Sequence, residues 1–275
     1  MISDALAKVI YAADRQNTAQ DGDFVSEGLL YCGKCKTPKQ AIVSVLGQRL
    51  KVGCMCRCKT EAEKAEAERL KQMEKLARAE RFRSLFPDQN MKNWIFENDD
   101  GKNPASGVCR RYLTNFPEML KAGKGLLLFG PVGTGKTYLA TCIANGVIDL
   151  GYSAYVTNFT RIGNKLFNLS DKQAYIDGLN DYQLLVVDDL AAERNTEYMS
   201  EVVWNVIDTR IRAKLPIIIT TNLSSEELKT GDLTRQRIFS RLYEMCLFVE
   251  VTGTDRRSAK MKSDYRKMQN ILKGE

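Results

Sequence analysis

Gly130-Pro131-Val132-Gly133-Thr134-Gly135-Lys136-Thr137 stands between an apolar run, Leu126-Leu127-Leu128-Phe129, and a stretch with Tyr138, Leu139, Ile143 and Val147 at helical spacing. The octapeptide fits G-x-x-x-x-G-K-[ST] at every position and has the strand–loop–helix context that the pattern requires. Its glycines let backbone N–H groups turn inward around phosphate oxygens, and the helix start adds the positive end of its dipole. In that arrangement Lys136 bridges the β- and γ-phosphates and the Thr137 hydroxyl ligates Mg²⁺. Residues 130–137 therefore predict a site for ATP.

Working outward, further apolar runs lie at 154–156, 184–187, 217–219 and 247–251. Helical patterns fill the gaps at 136–149, 159–169, 196–213 and 234–245. Such alternation predicts an α/β domain, a parallel sheet flanked by helices on both faces. Leu184-Leu185-Val186-Val187-Asp188-Asp189 puts two carboxylates at the C-terminal edge of that sheet, where open α/β sheets bind ligands. Asp188 is placed to hold Mg²⁺ through water. Asp189 is placed to polarise the attacking water, a task usual for Glu; Asp is one methylene shorter, which predicts slow hydrolysis. Ile217-Ile218-Ile219-Thr220-Thr221-Asn222 is a third strand with a polar end, and Asn222 either orients that water or caps the next turn. Arg237 and Arg241 lie four apart on one helix face, as surface cations or as a cation reaching a neighbouring subunit's nucleotide. Arg256 and Arg257 are candidates for the γ-phosphate of their own subunit.

The 275 residues include no histidine, which removes His-based nucleophile triads and mixed Cys/His metal sites. Net charge is +3 over residues 1–58, +2 over 59–85, −2 over 86–254 and +4 over 255–275, a distribution compatible with a nucleic-acid partner. No apolar window is long enough to span a membrane, and the start does not resemble a signal peptide, so the expected location is cytoplasmic. Apolar residues at helical spacing over 2–13 predict a short helix. Residues 60–83, rich in Glu, Lys, Arg and Ala without Gly or Pro, predict a solvated helical connector. Between them stand Cys32-Gly33-Lys34-Cys35 and Cys54-Met55-Cys56-Arg57-Cys58. Four thiolates around Zn²⁺ fit this spacing, with a redox pair or an iron–sulfur cluster as the alternatives. Cys32 and Cys35 are the first two ligands. Cys56 and Cys58 are favoured for the others, with Cys54 as the alternate. The resulting division is a module at 1–58, a linker at 59–85 and an ATPase domain at 86–275.

Taken together, residues 130–137, 184–194, 216–223 (Pro-Ile-Ile-Ile-Thr-Thr-Asn-Leu) and 237–246 (Arg-Ile-Phe-Ser-Arg-Leu-Tyr-Glu-Met-Cys) resemble the bacterial and phage replicative helicase loaders of the DnaC/DnaI type, in the AAA+ superfamily. The resemblance extends over nearly the whole chain, and the cysteine-rich start looks like that of loaders with an N-terminal zinc module. It implies a P-loop AAA+ sheet and an ATPase that self-associates through its AAA+ domains. It also implies binding of single-stranded DNA and of the hexameric DnaB-type replicative helicase, which the N-terminal module would grip. By the same match Lys136 and Thr137 make the Walker A contacts and Asp188 and Asp189 form the Walker B pair. Asn222 becomes sensor 1, Arg241 the arginine finger, and Arg256 sensor 2, with Arg257 as alternate. Ala191 departs from the Gly that family members often carry there. Arg161 and Lys165, on the polar face opposite Ile162, Leu166 and Leu169, are either candidates for DNA phosphates or solvated helix charges. An IstB-type transposition helper and a nucleotide-holding adaptor with little turnover are the competing readings.

Overall fold

A computed structural model describes residues 19–45, 47–190, 196–230 and 233–273, except the side chains of 257–260, 262–264, 266 and 267. The expected helix over 2–13, the departure at Ala191 and the alternate Arg257 side chain lie outside the described residues. Two antiparallel hairpins come first, β1 (Phe24–Ser26) with β2 (Leu29–Tyr31) and β3 (Gln40–Val45) with β4 (Gln48–Gly53). Neither was legible in the cysteine-rich segment. A buried ion pair, Lys39 Nζ to Asp23 Oδ2 at 2.6 Å, serves this small unit in place of a large apolar core. The Asp23 carboxyl is held down to about 2 by the Gln20 N–H, then by the Lys39 ammonium and the Gly33 N–H. Helix α1 (Arg57–Arg83) follows. The described residues form two compact units that divide between Leu76 and Ala77, inside α1.

The second unit contains α2 (Pro104–Thr114), α3 (Phe116–Ala122), β5 (Gly125–Phe129), α4 (Lys136–Asp149), β6 (Ala154–Asn158), α5 (Phe159–Phe167) and α6 (Lys172–Gly178). After these come β7 (Leu184–Leu190), α7 (Glu197–Arg212), β8 (Ile217–Thr221), α8 (Leu233–Met245), β9 (Cys246–Glu250) and α9 (Arg256–Lys273). The five strands form one parallel sheet in the order β6-β7-β8-β5-β9. Side chains alternate across it. Leu126, Leu128, Leu184, Val186 and Ile218 join the core under α2 and α4, whereas Leu127, Leu185, Val187, Ile217 and Ile219 join the core under α5, α7 and α8. Burial on both faces is why these strands read as unbroken apolar runs. The expected helix over 159–169 ends at Phe167, where the Asn168 N–H donates to the Lys165 carbonyl, so Leu169 falls beyond it and is exposed. Helices α2, α3, α6 and α9 have no counterpart among the helical patterns of the sequence. Among the described residues no helix is long and apolar enough to cross a membrane.

Arg210 of α7 is 1% exposed and lies at the N-terminal ends of two strands. Its guanidinium donates to the carbonyls of Tyr182 (2.8 Å), Leu179 (3.3 Å) and Gln183 (3.4 Å) before β7, and of Pro216 (2.5 Å) before β8. One side chain thereby bonds four carbonyls at the turns that lead into β7 and β8. Arg210→Ala removes these charged donors and the packed stem, so stability falls by roughly 3 kcal/mol. A shift of the urea midpoint at unchanged slope measures the loss; an unshifted midpoint contradicts it.

Candidate functional site

The phosphate-type loop joins β5 to α4, and its shape is that of a backbone cradle. Gly130, Gly133 and Gly135 have φ of 132°, 81° and 101°. At Gly133 a Cβ would also sit 1.9 Å from the Asp255 carboxylate. The Thr134 hydroxyl donates to the Pro131 carbonyl (2.9 Å), which fixes the turn. Lys136, 6% exposed, folds its ammonium over the loop and donates to the carbonyls of Gly130 (2.9 Å) and Pro131 (2.7 Å). Those carbonyls keep the cation at the mouth of the cradle.

Asp188 and Asp189 sit at the end of β7, where the register against β8 shifts between Val187 and Leu190. Asp189 has φ of 63°, a left-handed conformation that Asp adopts more readily than most residues. The bulge re-aims both carboxylates. Thr220 ties them together: its hydroxyl donates to Asp188 Oδ1 (2.5 Å) and accepts from the Asp189 N–H (2.9 Å). The Asn222 amide donates to Asp189 Oδ1 (2.8 Å), so the two candidate water-handling groups touch.

These residues line one cleft of about 360 Å³, bounded by Trp94, Val132, Gly133, Gly135, Lys136, Thr137, Tyr138, Asp188, Asp189, Thr220, Asn222 and Arg256. Hydroxyl and carboxylate oxygens of Thr137 and Asp188 are hard donors of the kind Mg²⁺ takes. Arg256 is anchored in place: its N–H donates to the Gly133 carbonyl (3.0 Å) and its guanidinium to Asp100 Oδ1 (2.9 Å). Trp94, Tyr138 and Thr220 join the site only in three dimensions. Trp94 and Tyr138 stand 5.9 Å apart between ring centroids and offer an aromatic wall beside the loop. A lone Trp between Pro87 and the β5 run was the one available signal. Thr220 carried none, because its role depends on β7 and β8 being neighbours.

Arg241 does not line that cleft. It lies on α8 with its guanidinium 3.7 Å from Asp208 Oδ1, 3.3 Å from Glu244 Oε2 and 5.8 Å from the centroid of Trp204. Arg237 is exposed on the same helix. Arg161 and Lys165 are exposed on α5, with the Lys165 ammonium 5.5 Å from the Tyr175 ring.

In the first unit the sulfurs of Cys32, Cys35, Cys56 and Cys58 all lie within 4.8 Å of one another. Cys32 and Cys58 are 3.6 Å apart and Cys56 and Cys58 3.4 Å. A tetrahedral zinc–thiolate site has sulfur–sulfur edges of about 3.8 Å, so the set fits the metal. Cys54 is turned away, its sulfur 3.5 Å from the Pro38 carbonyl. The N–H groups of Cys35 and Lys34 lower the Cys32 pKa. The Thr37 hydroxyl, then the N–H groups of Cys58 and Thr37, bring Cys35 down to about 5. Cys58 is pushed up to about 12 by its neighbours Cys56, Cys35 and Cys32. Thiols this close cannot all ionise unless a cation stands among them. Gly33 permits the knuckle, since a Cβ there would meet the Gly22 carbonyl oxygen at 2.1 Å. Cys109, Cys142 and Cys246 are buried singly, each pushed up to about 12 by desolvation.

A family model described as IstB-like ATP binding protein matches residues 62–264, more than half of the chain. The chain is 26% identical over 192 residues to the replicative helicase loader DnaI of Bacillus subtilis (strain 168), covering 64% of this chain and 62% of that protein. It is 24% identical over 160 residues to the replicative helicase loader DnaC of Escherichia coli (strain K12), covering 55% and 63%. The chain thus spans under two thirds of the length of each. Among solved structures it is similar to the crystal structure of DnaI (TM-score 0.54, 24% identity, 64% of this chain and 99% of that one). It is similar to that of the DnaC helicase loader to the same degree (TM-score 0.54, 24% identity, 60% and 100%).

Two measurements check the site. MgATP alters the emission of Trp94, and Trp94→Phe abolishes that change while Trp204→Phe retains it; emission indifferent to MgATP in the unaltered protein removes Trp94 from the site. Metal analysis finds one equivalent of zinc, kept in Cys54→Ser and lost in Cys35→Ser; equal retention in both variants contradicts the four-sulfur assignment.

Proposed function

The chain belongs to the IstB-like ATP binding protein family and has the AAA+ fold, and from that premise we propose that it is an ATP-dependent loader for a replicative DNA helicase. The observation that carries the reading is the pairing, in one chain, of a complete phosphate-loop cleft with a four-cysteine cluster. Kinship with DnaI and DnaC, both named replicative helicase loaders, supplies the partner. In this proposal the cysteine module, held by zinc through Cys32, Cys35, Cys56 and Cys58, grips a hexameric DnaB-type helicase. The domain division at 1–58, 59–85 and 86–275 belongs to the same proposal.

ATP enters the cleft and its phosphates draw the Lys136 ammonium from the carbonyls of Gly130 and Pro131, which are weaker partners than charged phosphate oxygens. Loop N–H groups from Gly130 to Thr137 take the remaining phosphate oxygens. Mg²⁺, when bound, neutralises phosphate charge. Thr137 and Asp188 hold it, Asp188 through water, with Thr220 fixing the Asp188 carboxylate. Asp189 accepts the proton side of the attacking water while Asn222 fixes its carboxylate. Arg256 senses the γ-phosphate from within the chain. Arg241, positioned by Asp208 and Glu244 outside its own cleft, serves the cleft of a neighbouring copy, which supports assembly through the AAA+ domains. Arg161 and Lys165 contact single-stranded DNA phosphates, and the protein acts in the cytoplasm. Turnover is slow and DNA-stimulated. The family name itself favours one other reading, an IstB-type transposition helper that serves a transposase with the same cleft.

In the full-length protein, Lys136→Ala abolishes ATP binding yet preserves capture by the cognate replicative helicase, whereas Cys35→Ser abolishes capture and preserves ATP binding. Loss of both properties in each variant rules out separate sites. No capture of the unaltered protein removes the loader assignment. ATP bound but never hydrolysed, with or without single-stranded DNA, leaves an adaptor in its place.

A further inference from the structure

Helix α4 starts at the phosphate loop and ends against the last turn of α1. Near its middle lies Asn145, 0% exposed. Both hydrogens of its amide are used: Nδ2 donates to the Met91 carbonyl (2.8 Å) and to the Trp94 carbonyl (2.9 Å). Its Oδ1 accepts from Arg83 Nε (2.9 Å), and Arg83 Nη2 also reaches the Asn145 carbonyl (3.5 Å) and Asp149 Oδ1 (2.6 Å). Arg83 is the last residue of α1.

The chemistry of the three partners dictates the orientation of the amide. A guanidinium only donates and a carbonyl only accepts, so the Asn145 oxygen must face Arg83 and its nitrogen must face residues 91 and 94. The reversed amide would set NH₂ against the guanidinium and oxygen against two carbonyls. Arg83 and the two carbonyls therefore fix the amide together, Arg83 filling the acceptor that the carbonyls leave free, and Asn145 in turn holds the backbone of Met91 and Trp94. The same segment is held from the loop end of α4, where the Tyr138 hydroxyl donates to the Ile95 carbonyl (2.9 Å). It is held again from α1 by Lys92 to Glu80 (2.5 Å). Trp94 and Tyr138 line the cleft; Arg83 and Asn145 do not.

We propose that Asn145 is a positioning residue that links the Trp94 wall of the cleft to Arg83, so that nucleotide occupancy is coupled to the last turn of α1. The proposal rests on the reading that the cleft takes ATP. A purine seated against Trp94 favours the wall as Asn145 holds it, and the same hydrogen bonds order Arg83. By reciprocity, whatever orders or loosens the end of α1 alters nucleotide affinity by the same factor. Helix α1 begins at Arg57, inside the cysteine run, so the coupled turn belongs to the helix that connects the cysteine cluster to the ATP-binding unit.

The test uses the full-length protein, with hydrogen exchange read over residues 80–95 and MgATP affinity by calorimetry. In the unaltered protein MgATP slows exchange at 80–86 as well as at the phosphate loop. Arg83→Met keeps the aliphatic stem but removes the donors. It weakens MgATP binding roughly 5- to 10-fold, the equivalent of about one net hydrogen bond, and abolishes the protection at 80–86. Arg83→Lys, which restores a donor, recovers part of both. Asn145→Asp sets carboxylate oxygen against the two carbonyls and weakens binding further; should it fail to fold, Arg83→Met decides alone. A folded Arg83→Met protein with unchanged affinity and unchanged protection overturns the coupling while leaving the ATP site intact. An unaltered protein that binds no MgATP, or binding that survives Lys136→Ala, overturns the ATP reading and the coupling with it.

Discussion

Strand β5 is hydrogen-bonded on both sides, to β8 and to β9, and is buried on both faces. From that doubly held strand the phosphate loop emerges with no freedom to drift. Its C-terminal end meets the ends of β7 and β8 because parallel strands finish on the same edge of the sheet. Asp188 therefore reaches the cleft from β7, and Thr220 and Asn222 from β8 and just beyond it, although 52 residues separate Lys136 from Asp188 in the chain. The crevice at the carboxyl ends of the strands is where such sheets bind ligands. Here it is built by strand order before any side chain takes part.

Helix α4 carries that order outward. It starts with Lys136 and Thr137 in the cleft and is apolar nearly all round, with ten of its fourteen residues buried. A helix packed on every side has little room to shift, so its polar residues act as fixed posts. Tyr138 and Asn145 hold the segment from Met91 to Ile95, and Asp149 holds Arg83.

What the sequence revealed and what it concealed divide along the same physical line. The Gly-rich loop, the apolar runs and Asp188-Asp189 are local patterns. Their strands and helices stand within a few residues of where periodicity put them, with α4 at 136–149 as expected. The cysteine spacing identified Cys32, Cys35, Cys56 and Cys58 as a group, but the removal of Cys54 needed the backbone that turns its sulfur to Pro38. Hairpins β1–β4 were hidden because their short strands carry exposed and half-buried positions without a clean alternation. Thr220, Trp94 and Asn145 were hidden for a different reason: each works through partners at least 31 residues away or through another element's carbonyls, and no single-segment pattern encodes that. Arg161 and Lys165 stand exposed on α5 as the polar face required.

The left-handed backbone at Asp189 bears on which acid can stand there. Most side chains pay of order 1 kcal/mol for that conformation, and Asp and Asn, with a short polar branch able to bond locally, pay least. In this shape the Asp189 N–H donates to the Thr220 hydroxyl and its carboxylate accepts from the Asn222 amide. A Glu would lose the discount and overshoot Asn222 by a methylene. The bulge in β7 therefore suits the shorter acid, and a longer one there would carry both the backbone cost and a misplaced carboxylate.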